Sequence, residues 1–217
     1  QEFPDYSTYC KAMGIFSAKL HDTAKKFIPQ YEIPKFSFVQ SIEDTLHLLQ
    51  IPIDTHQTNQ KELLSTLEMA RYLYIKLAKN ALKVIRAMER ECRTSHIHGD
   101  LKPSNVLWVT ANQFTVIDFG LCHFGSITND LHNIIVGCEK NEPLRFNISQ
   151  AEDTIAAYTL ASQDGLKEEE KQVIHASVLV RFAERFAATF QASSSPFYFL
   201  TDQSQIEARL QELQLIN

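Results

Sequence analysis

The chain has 217 residues, 44% hydrophobic and 22% charged, with a formal net charge of -5. That length suits one sizeable core or a pair of small lobes, and the composition is that of an ordinary soluble globular chain. The acidic balance argues against a nucleic-acid binder, and no apolar run approaches the roughly 18 residues of a membrane span.

The amino terminus lacks a signal-peptide pattern and begins with Gln1 rather than methionine, so a longer parent is expected. Cys10, Cys92, Cys122 and Cys138 stand far apart with no C-x-x-C spacing. They read as reduced, mostly buried thiols of a cytoplasmic protein.

In chain order, residues 1–8 read as a linker. Tyr9 to Ile28 then place Ala12, Ile15, Phe16, Leu20, Ala24 and Phe27 at helical spacing, and Pro29 closes the helix. Residues 30–59 read as a variable insertion of loops and short helices, in which Ser41-Ile42-Glu43-Asp44 opens a helix through Leu49. Gln60 to Glu91 carries the strongest periodicity, with Leu63, Leu67, Ala70, Tyr74, Leu77, Ala81, Val84 and Met88 recurring in steps of four and three. With no second heptad segment to pair with, that seam predicts a core helix rather than a coiled coil.

This helix feeds into His98-Gly99-Asp100-Leu101-Lys102-Pro103-Ser104-Asn105, followed by Phe114-Thr115-Val116-Ile117-Asp118-Phe119-Gly120. Between the two, Asn105 to Val109 and Phe114 to Ile117 are β-rich and joined by the turn-prone Thr110-Ala111-Asn112-Gln113. The expected hairpin returns Asn105 and Asp118 to the same end. Two carboxylates and a carboxamide, with a lysine nearby and no thiolate, suit a magnesium phosphate site better than zinc, because hard cations prefer oxygen. His96, His123 and His132 form no metal-ligand spacing.

Residues 121–217 read as a helical tail. Leu121 to Thr128 is expected to be a loop, with Asn129 or Asp130 capping a helix Leu131 to Val136 that ends at Gly137. Ser149-Gln150-Ala151-Glu152 is a capping box opening a helix to about Ser162, and Asp164-Gly165 is a turn. Leu166 to Gln191 forms a second long helix carrying Val173, Leu179, Phe182, Phe186 and Phe190, and its charged start, Lys167 to Lys171, reads as a solvated face. Ser193 to Pro196 breaks it before a final helix from about Asp202.

The pattern H-x-D-x-x-x-x-N followed by D-F-G resembles the phosphoryl-transfer core of the protein-kinase-like superfamily. Glycine between His98 and Asp100 is similar to the aminoglycoside phosphotransferase and choline kinase branch, whereas Lys102-Pro103 is spelled as in protein kinases. The fragment Phe16 to His21 resembles the leucine-histidine helix of the small-molecule branch. For His21 itself, a helix histidine satisfied by a neighbour is the plainer reading. The resemblance spans essentially the whole chain and implies a mainly α (α+β) fold: a kinase-like carboxy-terminal lobe with one short catalytic β-hairpin. The amino-terminal β-lobe is expected to be missing, since none of the six glycines makes a G-x-G-x-x-G and no strand-rich segment precedes the first helix.

That resemblance also implies the cofactors and the site. With Mg2+ and ATP, Asp100 would orient the acceptor hydroxyl and receive its proton, and Lys102 would neutralise charge on the phosphoryl group. Asn105 and Asp118 would be the magnesium ligands, and Leu107 and Ile117 would floor the adenine pocket, with a plain core role as the other reading of both. His98 reads as a strut rather than a catalyst. Asp130 falls where these families brace the catalytic loop from beneath, and helix capping explains it equally well. The expected partners are the nucleotide, a small-molecule acceptor and the missing amino-terminal lobe, with no nucleic acid and no membrane. The chain by itself is expected to be nearly inactive. A non-catalytic kinase-like binding module and a protein kinase stand as rivals, the latter opposed by the lack of A-P-E after Gly120.

Overall fold

The first helix, α1 (Tyr6–Ala24), starts where the Asp5 carboxylate accepts the Thr8 N–H at 2.9 Å, satisfying one of the free donors of a helix start. It thus begins inside the stretch expected as a linker. The computed structural model describes residues 5–27, 38–50, 61–110, 113–137 and 148–191. The turn at Ala111-Asn112, Cys138, most of the expected insertion and the helix after Asp202 lie outside them.

The buried face of α1 is Tyr9, Cys10, Met13, Gly14, Ser17, Ala18, His21 and Ala24. This corrects the expected stripe, of which Ile15 stands 40% exposed. The cause is close helix packing. α1 lies against α5 (Ile148–Ala161) so tightly that a Cβ on Gly14 would sit 2.7 Å from the Thr154 carbonyl oxygen. A face of small and polar residues permits that approach and carries little hydrophobic periodicity.

α2 (Phe38–Gln50) and α3 (Lys61–Met88) pack on each other and on α6 (Glu168–Gln191). Tyr74, Leu77, Ala78, Ala81, Leu82 and Ile85 are buried, so α3 is a core helix of this lobe. The expected seam positions Leu63, Leu67 and Ala70, and Phe182, Phe186 and Phe190 of α6, lie outside the described side chains.

The charged start of α6 is not simply solvated. Glu170 is fully buried, and its carboxylate accepts Arg93 N–H at 3.0 Å, Arg93 Nε at 2.8 Å and Lys167 N–H at 2.9 Å. A glutamate in the first turn reaching back to the preceding N–H is half of a capping box, and here it also neutralises the half-buried Arg93.

Two small antiparallel sheets follow α3. β2 (Val106–Thr110) pairs with β3 (Gln113–Val116), Val106 opposite Val116 and Trp108 opposite Phe114. Trp108 is buried against Tyr9 and Phe114, while Leu107 and Val109 on the alternate positions are exposed. The second pair, β1 (Thr94–Ile97) with β4 (His123–Ser126), corrects the loop expected over Leu121 to Thr128. The β4 sequence has no alternation of its own and is a strand because β1 supplies its partner.

α4 (Thr128–Gly137) starts earlier than expected, which places Asn129 and Asp130 inside its first turn rather than at its cap. It packs on α1, α5 and α6. The fold is therefore mainly α, with small strand pairs. Among the described residues no helix is long and apolar enough to cross a membrane.

Candidate active site

The β2–β3 hairpin sets the geometry. Ile117 N–H donates to the Asn105 carbonyl at 2.9 Å, so the backbones just before β2 and just after β3 are joined at one end of the ribbon. Asn105 and Asp118 therefore leave the ribbon at the same end.

Asp100 is held from two directions. Its Oδ2 accepts Asn105 Nδ2 at 2.9 Å and Lys102 Nζ at 2.6 Å, and its backbone carbonyl accepts the same Asn105 amide at 2.8 Å. No described residue bonds its Oδ1. Asn105 is buried and spends its NH2 on Asp100, and no described residue bonds its Oδ1. Asp118 stands in the left-handed region at φ 64° and ψ 60°, exposed and with no hydrogen bond from its side chain to the turn Phe119–Leu121 that it opens. A non-glycine residue there is strained, and such strain gathers where a side chain must be aimed.

His98 ties the two loops together. Fully buried, it donates from Nε2 to the Ile117 carbonyl at 3.0 Å, accepts the Asp100 N–H at Nδ1 at 3.3 Å, and packs on Phe119 with centroids 4.6 Å apart. Gly99 follows at φ 81°, and a Cβ there would lie 2.4 Å from the Leu121 carbonyl oxygen. The residue between His98 and Asp100 is glycine because the Asp118 loop passes directly over it.

Beneath the loop lies α4. Asp130, fully buried, accepts the His98 N–H on Oδ2 and the Gly99 N–H on Oδ1, each at 2.8 Å, while Asn133 Nδ2 donates to the Gly99 carbonyl at 2.9 Å. Three residues apart on one helix face, they grip Gly99 by its N–H and its C=O. Of the two readings left open for Asp130, geometry selects the brace. Asn133 carried no sequence signal. His21 joins from α1, its Nε2 lying 3.1 Å from Asp130 Oδ2. Burial alone would raise the Asp130 carboxyl, but the His21 hydrogen bond and the two backbone N–H groups outweigh it and hold the group below its usual range.

Of the two expected adenine contacts, Leu107 is 53% exposed and Ile117 half-buried. Phe119 and Leu121, in the turn that Asp118 opens, are also exposed. Among the described residues no group of three or more histidine, cysteine or acidic side chains could hold a metal.

Solved structures share the fold, among them the following three. An aminoglycoside phosphotransferase from Alicyclobacillus acidocaldarius superposes with a TM-score of 0.64 at 17% identity, over 94% of this chain and 61% of that one. An AMP-bound spectinomycin phosphotransferase gives 0.55 at 14% identity, over 94% and 62%. An amicoumacin kinase complexed with AMP-PNP and Ca2+ gives 0.56 at 11% identity, over 95% and 58%. The chain thus spans about three fifths of the length of each. No curated protein matches it. A family model described as the phosphotransferase enzyme family (APH) matches residues 1–170, most of the chain and all of the Asp100, Asp118 and Asp130 constellation. The chain belongs to this phosphotransferase enzyme family, with a protein-kinase-like fold.

Proposed function

We propose that this chain carries the catalytic machinery of an ATP- and magnesium-dependent small-molecule kinase, which moves the γ-phosphoryl group to an acceptor hydroxyl. The observation that carries the reading is Asp100, clamped by Asn105 and Lys102 with one carboxylate oxygen left open, at the hairpin end that also presents Asp118. A carboxylate immobilised through one oxygen can accept a proton at the other, so Asp100 orients the acceptor hydroxyl and takes its proton, as the positioning logic of phosphoryl transfer requires. Lys102 brings a positive charge beside it for the phosphoryl oxygens.

Asn105 Oδ1 and the Asp118 carboxylate are the residues that would hold magnesium. Two hard oxygens with no other partner among the described residues fit an ion that usually takes one or two protein ligands and completes its shell with phosphates and water. When bound, the ion supplies charge neutralisation at the phosphates. Leu107 and Ile117 lie on the hairpin where an adenine ring can rest. The AMP, and the AMP-PNP with Ca2+, named with the structural relatives support a nucleotide and a divalent ion. Their spectinomycin and amicoumacin activities support a small polyfunctional acceptor.

Because the chain spans about three fifths of those relatives, we place full activity in a longer protein and expect little turnover from these 217 residues alone. The test is phosphoryl transfer by the longer protein with Mg2+, ATP and a panel of hydroxyl-bearing small molecules. Asp100→Ala should lower kcat by roughly 10²–10⁴ with ATP binding retained. An unchanged kcat would refute the assignment.

A further inference from the structure

A second polar relay runs behind the catalytic loop, with one residue from each of three helices. Tyr158 of α5, His21 of α1 and Asp130 of α4 are 1%, 1% and 0% exposed. The Tyr158 hydroxyl lies 3.1 Å from His21 Nδ1, and His21 Nε2 lies 3.1 Å from Asp130 Oδ2. The two rings sit 5.6 Å apart at 49°.

Burial dictates where the protons are. Polar atoms shut away from water must find partners within the protein. Asp130 is an ionised acceptor in the first turn of α4, favoured there by the positive helix end and by two backbone N–H groups. Anything facing it must donate, so His21 Nε2 carries a hydrogen. In the neutral ring Nδ1 is then an acceptor, and the phenol hydroxyl is the donor within reach. Desolvation pushes the Tyr158 phenol well above its usual range, which keeps it a hydroxyl.

We propose that Tyr158 is a positioning residue of the catalytic loop: its hydroxyl donates to His21 Nδ1 and fixes the ring with Nε2–H on Asp130, which in turn holds the His98 and Gly99 backbone. The chain of bonds runs Tyr158 to His21 to Asp130 to Gly99, one residue from Asp100. An imidazole attached at only one nitrogen can swing about its remaining bond, whereas one pinned at both cannot. The inference rests on the reading of His98 to Asn105 as the loop that orients the acceptor, and it supplies that loop with a remote anchor.

The test is nitrogen-15 and amide-proton NMR of this chain at neutral pH, without nucleotide or acceptor. In the wild type, His21 should show a protonated Nε2 and an unprotonated, hydrogen-bonded Nδ1; a protonated Nδ1 would overturn the proposal with no variant needed. In Tyr158→Phe, the Nδ1 signal should move to that of an unbonded ring nitrogen. The His98 and Gly99 amide protons should move upfield as their bonds to Asp130 loosen, while Ile174 and Val178 of α6 stay in place. Unmoved His98 and Gly99 signals, or α6 signals moving equally, would reduce Tyr158 to a packing residue and sink the idea. Because these signals need no turnover, a failed phosphoryl-transfer assay leaves them standing, and their failure leaves the Asp100 assay untouched.

Discussion

Replacing Asp130 by asparagine changes almost no volume and removes one charge from beneath the His98–Asn105 loop. In the native protein Oδ1 accepts the Gly99 N–H at 2.8 Å, while Oδ2 accepts the His98 N–H at 2.8 Å and faces His21 Nε2 at 3.1 Å. An asparagine keeps a single oxygen. In its best orientation that oxygen stays with His98 and His21, and the NH2 is forced against the Gly99 N–H. One charge-assisted bond, worth about 1.5–3 kcal/mol, is lost, two others are weakened, and a buried donor is left unmet. The expected cost is about 3–5 kcal/mol, the range for breaking a buried charge cluster. Urea unfolding followed by circular dichroism would read it as a lower midpoint with an unchanged slope. The pH dependence has a definite sign. The folded Asp130 carboxyl sits below its ordinary value of 3.8, so its stabilisation is present above about pH 4 and disappears as the pH falls through the folded value. The gap between wild type and Asp130→Asn should be constant at neutral pH and close in acid. A neutral-pH loss under about 1 kcal/mol would refute the claim that this carboxylate carries the loop.

Gly99→Ala should cost roughly 2–4 kcal/mol, combining a left-handed φ of 81° with a Cβ only 2.4 Å from a backbone oxygen, whereas Gly120→Ala, whose Cβ meets nothing nearer than 3.4 Å, should cost less than about 0.5 kcal/mol. Thermal midpoints compared side by side decide this, and equal losses would contradict it. Glu170→Gln should destabilise by about 2–4 kcal/mol, a little under the fully buried range because Arg93 keeps 19% of its side chain exposed. Burial by itself would raise the Glu170 carboxyl, yet the hydrogen bonds from Arg93 and Lys167 hold it below its ordinary 4.5. Its contribution is therefore complete above about pH 4.5 and lost in acid, and urea midpoints across pH 3 to 7 would show the two proteins converging at the low end.

The amino-acid sequence by itself determined the parts whose signals are local. The α3 periodicity, the β-rich runs around a turn and the spacing from His98 to Asp118 each reside in a short window, and the ribbon the strands form is enough to return Asn105 and Asp118 to one end. Only the tertiary structure decided which face of α1 is buried, because backbones that approach closely need Gly14, Ser17 and Ala18, residues with little hydrophobic signature. The same holds for polar groups that look like surface in one dimension. Glu170 sits among charged neighbours in the chain yet is buried on Arg93, and Asp130 reads equally well as a cap until the His98 and Gly99 N–H groups are seen to point at it. β4 and Tyr158 complete the set, one a strand through a partner far away in sequence and the other a phenol whose acceptor lies on another helix. Periodicity reports what a segment does to its own neighbours along the chain, whereas a buried polar contact depends on two segments whose meeting only packing of the whole lobe can arrange.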